Sequence, residues 1–82
     1  AIEYRIQIAS YTSHSTAEEI QGELLDEGFT TMIFTKDVNG STYFRLRNGP
    51  YRNMQEADKF LQYIQRIDGF EKSYISQVHV EL

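Results

Sequence analysis

Tyr43, Arg45 and Arg47 alternate with Phe44 and Leu46, so a strand through this run would carry a tyrosine and two guanidinium groups on one side and apolar side chains on the other. Near the N-terminus Arg5 and Gln7 alternate with Tyr4, Ile6 and Ile8, which places one more of the five arginines, and an amide, on the polar side of another strand. Guanidinium pairs bidentately with carboxylate or phosphate, and tyrosine offers a flat surface with a hydroxyl. Brought together on one face, these side chains would form a platform for a polar polymer carrying some negative charge. A solvated sheet face with ordinary cross-strand packing shows the same alternation. The chemistry therefore depends on whether the fold sets the two strands side by side.

Other chemistries find little support. The chain has no cysteine, which removes disulfides, thiolate metal sites and cysteine nucleophiles but leaves the redox compartment open. His14 and Glu18 stand four apart, a spacing that suits a metal or an acid-base pair but equally a solvated helix start, and His79 reads as a surface residue of the last strand. No Gly-rich phosphate loop, nucleophile constellation or zinc spacing is present. No cofactor or metal is expected. A net charge of −4 disfavours general polyanion binding. No apolar run approaches the roughly 20 residues of a membrane span, and the opening Ala1-Ile2-Glu3-Tyr4-Arg5 lacks the apolar stretch of a signal peptide. Because this segment runs almost directly into a strand pattern, residues 1–82 are expected to be a single domain excised from a longer protein.

The positioning elements follow from period and punctuation. Ile2, Tyr4, Ile6 and Ile8 share one parity against Glu3, Arg5, Gln7 and Ala9, a half-buried strand. Ser13, Ser15 or Thr16 can cap the next element, with Ser15 and Glu18 spaced as a capping box, and Ala17, Ile20, Leu24 and Leu25 recur at helical spacing up to Gly28. Residues Phe29 to Lys36 read as a second strand, in which Met32 and Phe34 fit either side of a sheet. Asn39-Gly40 signals a tight hairpin, and Thr42 to Asn48 returns as the third strand. Asn53 with Glu56 marks a second helix, whose stripe of Ala57, Phe60, Leu61, Ile64 and Ile67 ends at Gly69. Ser73 to Val80 supplies a fourth strand.

The order β-α-β-β-α-β predicts an α+β, ferredoxin-like split βαβ fold: a four-stranded antiparallel sheet with two helices on one face. The halves look alike over about 40 residues, with Tyr11 and Ala17 matching Tyr51 and Ala57, Leu24 matching Ile64, and Gly28-Phe29 matching Gly69-Phe70. This topology puts the first and third strands in the middle, so Arg5, Gln7, Ala9, Tyr43, Arg45 and Arg47 share the uncovered face. Glu18, Glu19, Glu23, Asp26, Glu27, Glu56 and Asp58 fall on the helices, leaving the molecule acidic behind and basic in front despite its net charge.

Two motifs in order, correctly spaced, make the chain similar to the SPOR domain, the peptidoglycan-binding module of bacterial division and cell-wall proteins. Tyr4-Arg5-Ile6-Gln7-Ile8-Ala9-Ser10-Tyr11 resembles the family's Val-Gln-Val-Gly-Ser-Phe opening, followed at the right distance by Ala17 and Gly28-Phe29. Phe44-Arg45-Leu46-Arg47-Asn48-Gly49-Pro50-Tyr51 resembles Tyr-Arg-Val-Arg-Val-Gly-Pro-Phe, with Ala57 in the place of the second-helix alanine. The resemblance implies binding, through the open sheet face, of glycan strands from which stem peptides have been removed, with no catalysis by the domain. It implies Gln7, Ser10, Tyr43 and Arg45 as binding residues, with Tyr74 preferred over Ile75 from the fourth strand, and Arg47 and Arg5 join them from the face read above. Strict alternation turns Ser10 inward, so its role requires a bend or bulge at the strand end.

Three departures from the pattern bear on binding. Ala9 replaces a glycine and would hinder close approach on the open face. Asn48 replaces a core valine and is expected to cap the turn into Gly49-Pro50 rather than be buried. Tyr43 replaces the tryptophan of some members, giving less stacking area. The implied setting is the bacterial cell envelope, concentrated at division septa, with cell-wall hydrolases or divisome proteins as further partners and no nucleic acid or membrane contact by the domain itself.

Other readings of the topology are an RNA-recognition-like or protein-interaction module and an acylphosphatase-type enzyme. The first lacks the Lys/Arg-Gly-Phe/Tyr-Gly/Ala-Phe-Val-x-Phe/Tyr motif of that class. The last lacks glycine and arginine in Tyr11-Thr12-Ser13-His14-Ser15, where a phosphate-cradling loop would stand.

Overall fold

The computed structural model describes residues 1–81. It has strand β1 (Ile2–Tyr11), helix α1 (His14–Asp26), strands β2 (Met32–Val38) and β3 (Ser41–Tyr51), helix α2 (Met54–Gln65) and strand β4 (Tyr74–His79). All pairings are antiparallel and the strand order is β2-β3-β1-β4, with β1 and β3 in the middle. This is the ferredoxin-like split βαβ.

Local chemistry sets the boundaries. Ser13 has extended backbone (φ −109°, ψ 124°) and its hydroxyl accepts from the Thr16 amide at 3.3 Å, capping α1. The expected Ser15–Glu18 capping box does not form, because Ser15 already lies inside the first helical turn; the Glu18 carboxylate instead lies 3.0 Å from His14 Nδ1. At the other end Gly28 adopts φ 94°, and the amides of Gly28 and Phe29 donate to the carbonyls of Leu25 and Leu24, both at 2.9 Å, a Schellman closure. Asn53 caps α2 through a 2.7 Å bond from the Glu56 amide, as its spacing predicts. Asn39 (φ 51°) and Gly40 (φ 82°) turn the β2–β3 hairpin between the paired Val38 and Ser41.

The core lies between the sheet and the two helices, where Ile6, Leu24, Leu46 and Ile64 are its largest fully buried side chains. Each stabilises the fold by roughly 1.5–3 kcal/mol through burial. Ala17 and Ala57 are fully buried as well and let the helices approach the strands closely. The similar halves extend to their loops: Gln21 donates to the Thr31 carbonyl (2.9 Å) just before β2, and Gln65 to the Ser73 carbonyl (3.0 Å) just before β4. Ser73, read as strand from the sequence, is a buried turn residue whose hydroxyl donates to the Phe70 carbonyl (2.8 Å), and β4 starts one position later.

Candidate functional site

The opposite face of the sheet carries no helix, and its composition follows from the register. Tyr74 pairs with Gln7, Gln7 with Arg47 and Arg47 with Met32, a row that crosses all four strands. Alongside it, Ser10 pairs with Arg45 and Arg45 with Phe34; beyond Arg45 lies Tyr43, paired with Lys36, and beyond Gln7 lies Arg5, paired with Ser76. Tyr74 therefore occupies the open face while Ile75, paired with Ile6, packs against the core.

Two irregularities in the central pair of strands decide who faces outward. Between the Gln7–Arg47 and Ala9–Leu46 pairs, β1 contains one residue, Ile8, that has no counterpart on β3. This bulge reverses the parity of β1. Ile8 is buried, Ala9 turns to the core side opposite buried Leu46, and Ser10 emerges, exposed, on the open face beside Arg45. Ala9 thus leaves the face where simple alternation places it and packs, partly buried, against the core. The second irregularity sits where Gly49 and Pro50 lie between the Tyr4–Tyr51 and Ile6–Asn48 pairs. Gly49 has φ 129°, and a Cβ there would come within 3.1 Å of the Tyr4 carbonyl oxygen, so the motif needs glycine.

Asn48 does not cap this turn. It is a buried amide paired with Ile6 on the core side. Its Nδ2 donates to the Thr30 carbonyl at 2.8 Å and its Oδ1 accepts from the Tyr51 hydroxyl, so both ends of the amide are satisfied. Burial pushes the Tyr51 phenol above its ordinary value, with the nearby Glu56 acting in the same direction against the bond to Asn48.

Gln7 is also buried, at 8% exposure, though on the open side of the sheet. Its Oε1 accepts from Arg47 Nε at 3.0 Å and its Nε2 donates to the Ala9 carbonyl at 3.3 Å. The amide is a fixed brace beneath Arg47 rather than a free group at the surface. Phe34, which sequence alternation left unassigned, faces outward, with the guanidinium carbons of Arg47 and Arg5 lying 4.7 and 5.6 Å from its ring centroid. Burial, Arg5 and Arg45 together hold the Arg47 guanidinium below its ordinary value, opposed by Tyr74. Among the described residues no carboxylate lies within ion-pair distance of Arg5, Arg45 or Arg47, and the single such contact among them is His14–Glu18.

Two depressions interrupt this face. One, of about 190 Å³, is bordered by Gln7, Ser10, Arg45, Tyr74 and Lys72. Lys72 escaped the sequence reading because it lies in the loop before β4, outside any strand alternation. The other, of about 250 Å³, is bordered by Arg5, Met32, Phe34, Arg47 and Pro50. The first brings together four of the expected binding residues, and Arg47 and Arg5 fall in the second. Tyr43 is on the same face, half-buried, but lines neither depression. No group of three or more potential metal ligands occurs among the described residues. No helix is long and apolar enough to cross a membrane.

The family model for the SPOR domain matches residues 1–76 of the 82-residue chain. The chain belongs to the SPOR domain family. No curated protein and no solved structure matches it. The SPOR family is one of peptidoglycan-binding modules rather than enzymes, and its setting is the cell wall and cell division. In this SPOR domain the family's two sequence motifs lie on the adjacent central strands, with Arg5, Gln7, Ser10, Arg45 and Arg47 directed to the open face and Asn48 to the core.

Proposed function

We propose that this SPOR domain recognises peptidoglycan glycan strands stripped of stem peptides, with Ser10, Arg45, Tyr74 and Lys72 in direct contact and Gln7 acting through Arg47. The observation that supports it most is the cluster of guanidinium groups on the open face, interleaved with aromatic rings and without a carboxylate partner among the described residues. Like charges held close together favour an anionic ligand, because binding relieves their repulsion.

The chemistry of the denuded strand fits. Removing the stem peptide converts the lactyl amide of each muramyl residue into a free carboxylate, which Arg45 can take bidentately. Tyr74, 58% exposed, gives a ring on which the apolar C–H face of a sugar can lie, and Ser10 and Lys72 can reach hydroxyl or N-acetyl groups. Tyr43 extends the same surface at its far end. An intact strand lacks the carboxylate and carries a peptide that would hold it off a flat sheet, so discrimination is both electrostatic and steric. Such recognition would direct the protein carrying the domain to septal wall, where amidases expose denuded glycan.

Co-sedimentation with peptidoglycan sacculi, before and after amidase removal of the stem peptides, tests the reading. Retention should rise after amidase treatment and vanish in the Arg45→Ala, Tyr74→Ala double variant. Retention indifferent to both changes would refute it.

A further inference from the structure

The likeness of the two halves lets one serve as a control for the other. With Leu24 matching Ile64, Gly22 falls where the second half has Gln62, Leu25 where it has Gln65, and Thr31, just before β2, where it has Ser73, just before β4. The second half uses these positions internally: Gln62 donates to Asp58 (3.0 Å), Gln65 to the Ser73 carbonyl (3.0 Å) and the Ser73 hydroxyl to the Phe70 carbonyl (2.8 Å). The first half leaves all three open. Gly22 has no side chain, Leu25 is 60% exposed, and the Thr31 hydroxyl is buried with no hydrogen-bond partner among the described residues.

Together with Glu18 these residues line a groove of about 350 Å³ between α1 and the start of β2. Nothing within the domain requires glycine at position 22, because it lies inside the helix and a Cβ there would meet no atom within 4 Å. A glycine inside a helix weakens it, and a buried hydroxyl without a partner is unfavourable as well. A ligand that approaches the helix backbone at Gly22 and bonds Thr31 offsets both. The helix carries Glu18, Glu19, Glu23 and Asp26 and no lysine or arginine, so charge complementarity calls for a cationic ligand, and Leu25 calls for an aliphatic group beside the cation. β2 is an outer strand of the sheet, with one row of backbone N–H and C=O groups unpaired there. An extended peptide meets all of these demands.

We propose that this groove is a protein-docking site for an extended basic segment of a partner protein. The segment pairs with the free edge of β2, sets an aliphatic side chain over Gly22 against Leu25, bonds the Thr31 hydroxyl and presents a lysine or arginine to Glu18. Glu18 and Gly22 are one helical turn apart, about 6 Å, close to the roughly 7 Å between alternate residues of a strand. The cation and the aliphatic residue therefore stand two apart in the segment. The groove lies away from the open face, so the site is independent of the glycan reading and leaves the domain free to hold wall and partner together.

Selection of a phage-displayed random dodecapeptide library on the wild-type domain, after depletion on Gly22→Gln, tests it. This variant places at position 22 the glutamine that the second half carries at position 62, and it should melt at or above the wild-type temperature. Enriched peptides should share Lys or Arg two positions from Val, Ile or Leu. A synthetic peptide of that sequence, followed by fluorescence anisotropy, should bind Gly22→Gln on the order of tenfold more weakly than wild type, and Glu18→Gln and Thr31→Val severalfold more weakly. Arg45→Ala should leave its affinity unchanged, and Gly22→Gln should leave retention on denuded sacculi unchanged. No enrichment, enriched peptides without that spacing, or a basic peptide indifferent to Gly22→Gln and held by the charge of α1 alone would overturn the site. Loss of peptide binding in Arg45→Ala would overturn it too, by moving the peptide to the open face.

Discussion

The two faces of this sheet are built from the same strands and obey opposite rules. On the helix side Ile6, Leu46, Leu24 and Ile64 are sealed from water, and what matters there is volume. On the open side Arg5, Arg45 and Arg47 have no acidic partner among the described residues, Arg5 and Arg47 lying against Phe34 and Arg47 bonded to Gln7. The difference shows stability and recognition separated by a single layer of backbone. Substitutions on one face should therefore act on folding, and on the other on binding.

The sharpest way to break that separation is at Leu46 and its neighbour Arg45. Leu46→Ala should destabilise the domain by about 2–5 kcal/mol, measured by urea unfolding, a large part of the stability of a chain this small. Arg45→Ala should leave unfolding within about 0.5 kcal/mol of wild type while costing denuded-glycan affinity about 1–3 kcal/mol. A large stability loss from Arg45→Ala would show that the open face is structural after all.

Tyr51→Phe probes the polar element within the core. It leaves the Asn48 Oδ1 without its donor, and the expected cost is about 1–3 kcal/mol in thermal or urea unfolding. The same residue gives a pH dependence. The phenol's value is raised in the folded state from 10.0, so its contribution to stability is complete below pH 10 and declines as pH rises through the folded value. Tyr51→Phe should flatten that alkaline decline, with Tyr11, raised by burial and by Glu23, accounting for the part that persists.

The smallest expected effects concern charge at a distance. Glycan affinity should fall as salt rises from low to physiological levels, since the arginines are partly exposed and screened. Neutralising Glu19 or Asp58 on the helical side should change affinity by a few tenths of a kcal/mol at most, measured in the same titration.

Much of this architecture is legible in the sequence, and the residues that are not share a cause. Helix stops at Gly28, the Asn39-Gly40 hairpin and the Asn53 cap are local signals, read by local rules. Ala9 and Ser10 depend on a bulge at Ile8, which exists only in relation to β3, and alternation along one strand cannot reveal a residue its partner lacks. The requirement that Ser10 bend outward could be stated in advance, but not that the bend would carry Ala9 into the core. Asn48 finds its partners in Thr30 and Tyr51, one of them 18 positions away, so its burial looked costly from the chain alone. Phe34 stayed unassigned because its strand is short and apolar on both sides, and only the pairing with Arg45 fixes its face. For Gln7 the sequence shows an amide on the open face, and only the three-dimensional structure shows that amide buried and bonded to Arg47.

The separation of the two faces is tested most directly by mapping backbone amide chemical shifts while a denuded glycan fragment is titrated into the isotope-labelled domain. The changes should concentrate at Ser10, Arg45, Arg47, Lys72 and Tyr74, with α1 and α2 silent. Changes centred on the helices, or scattered evenly over both faces, would contradict the account.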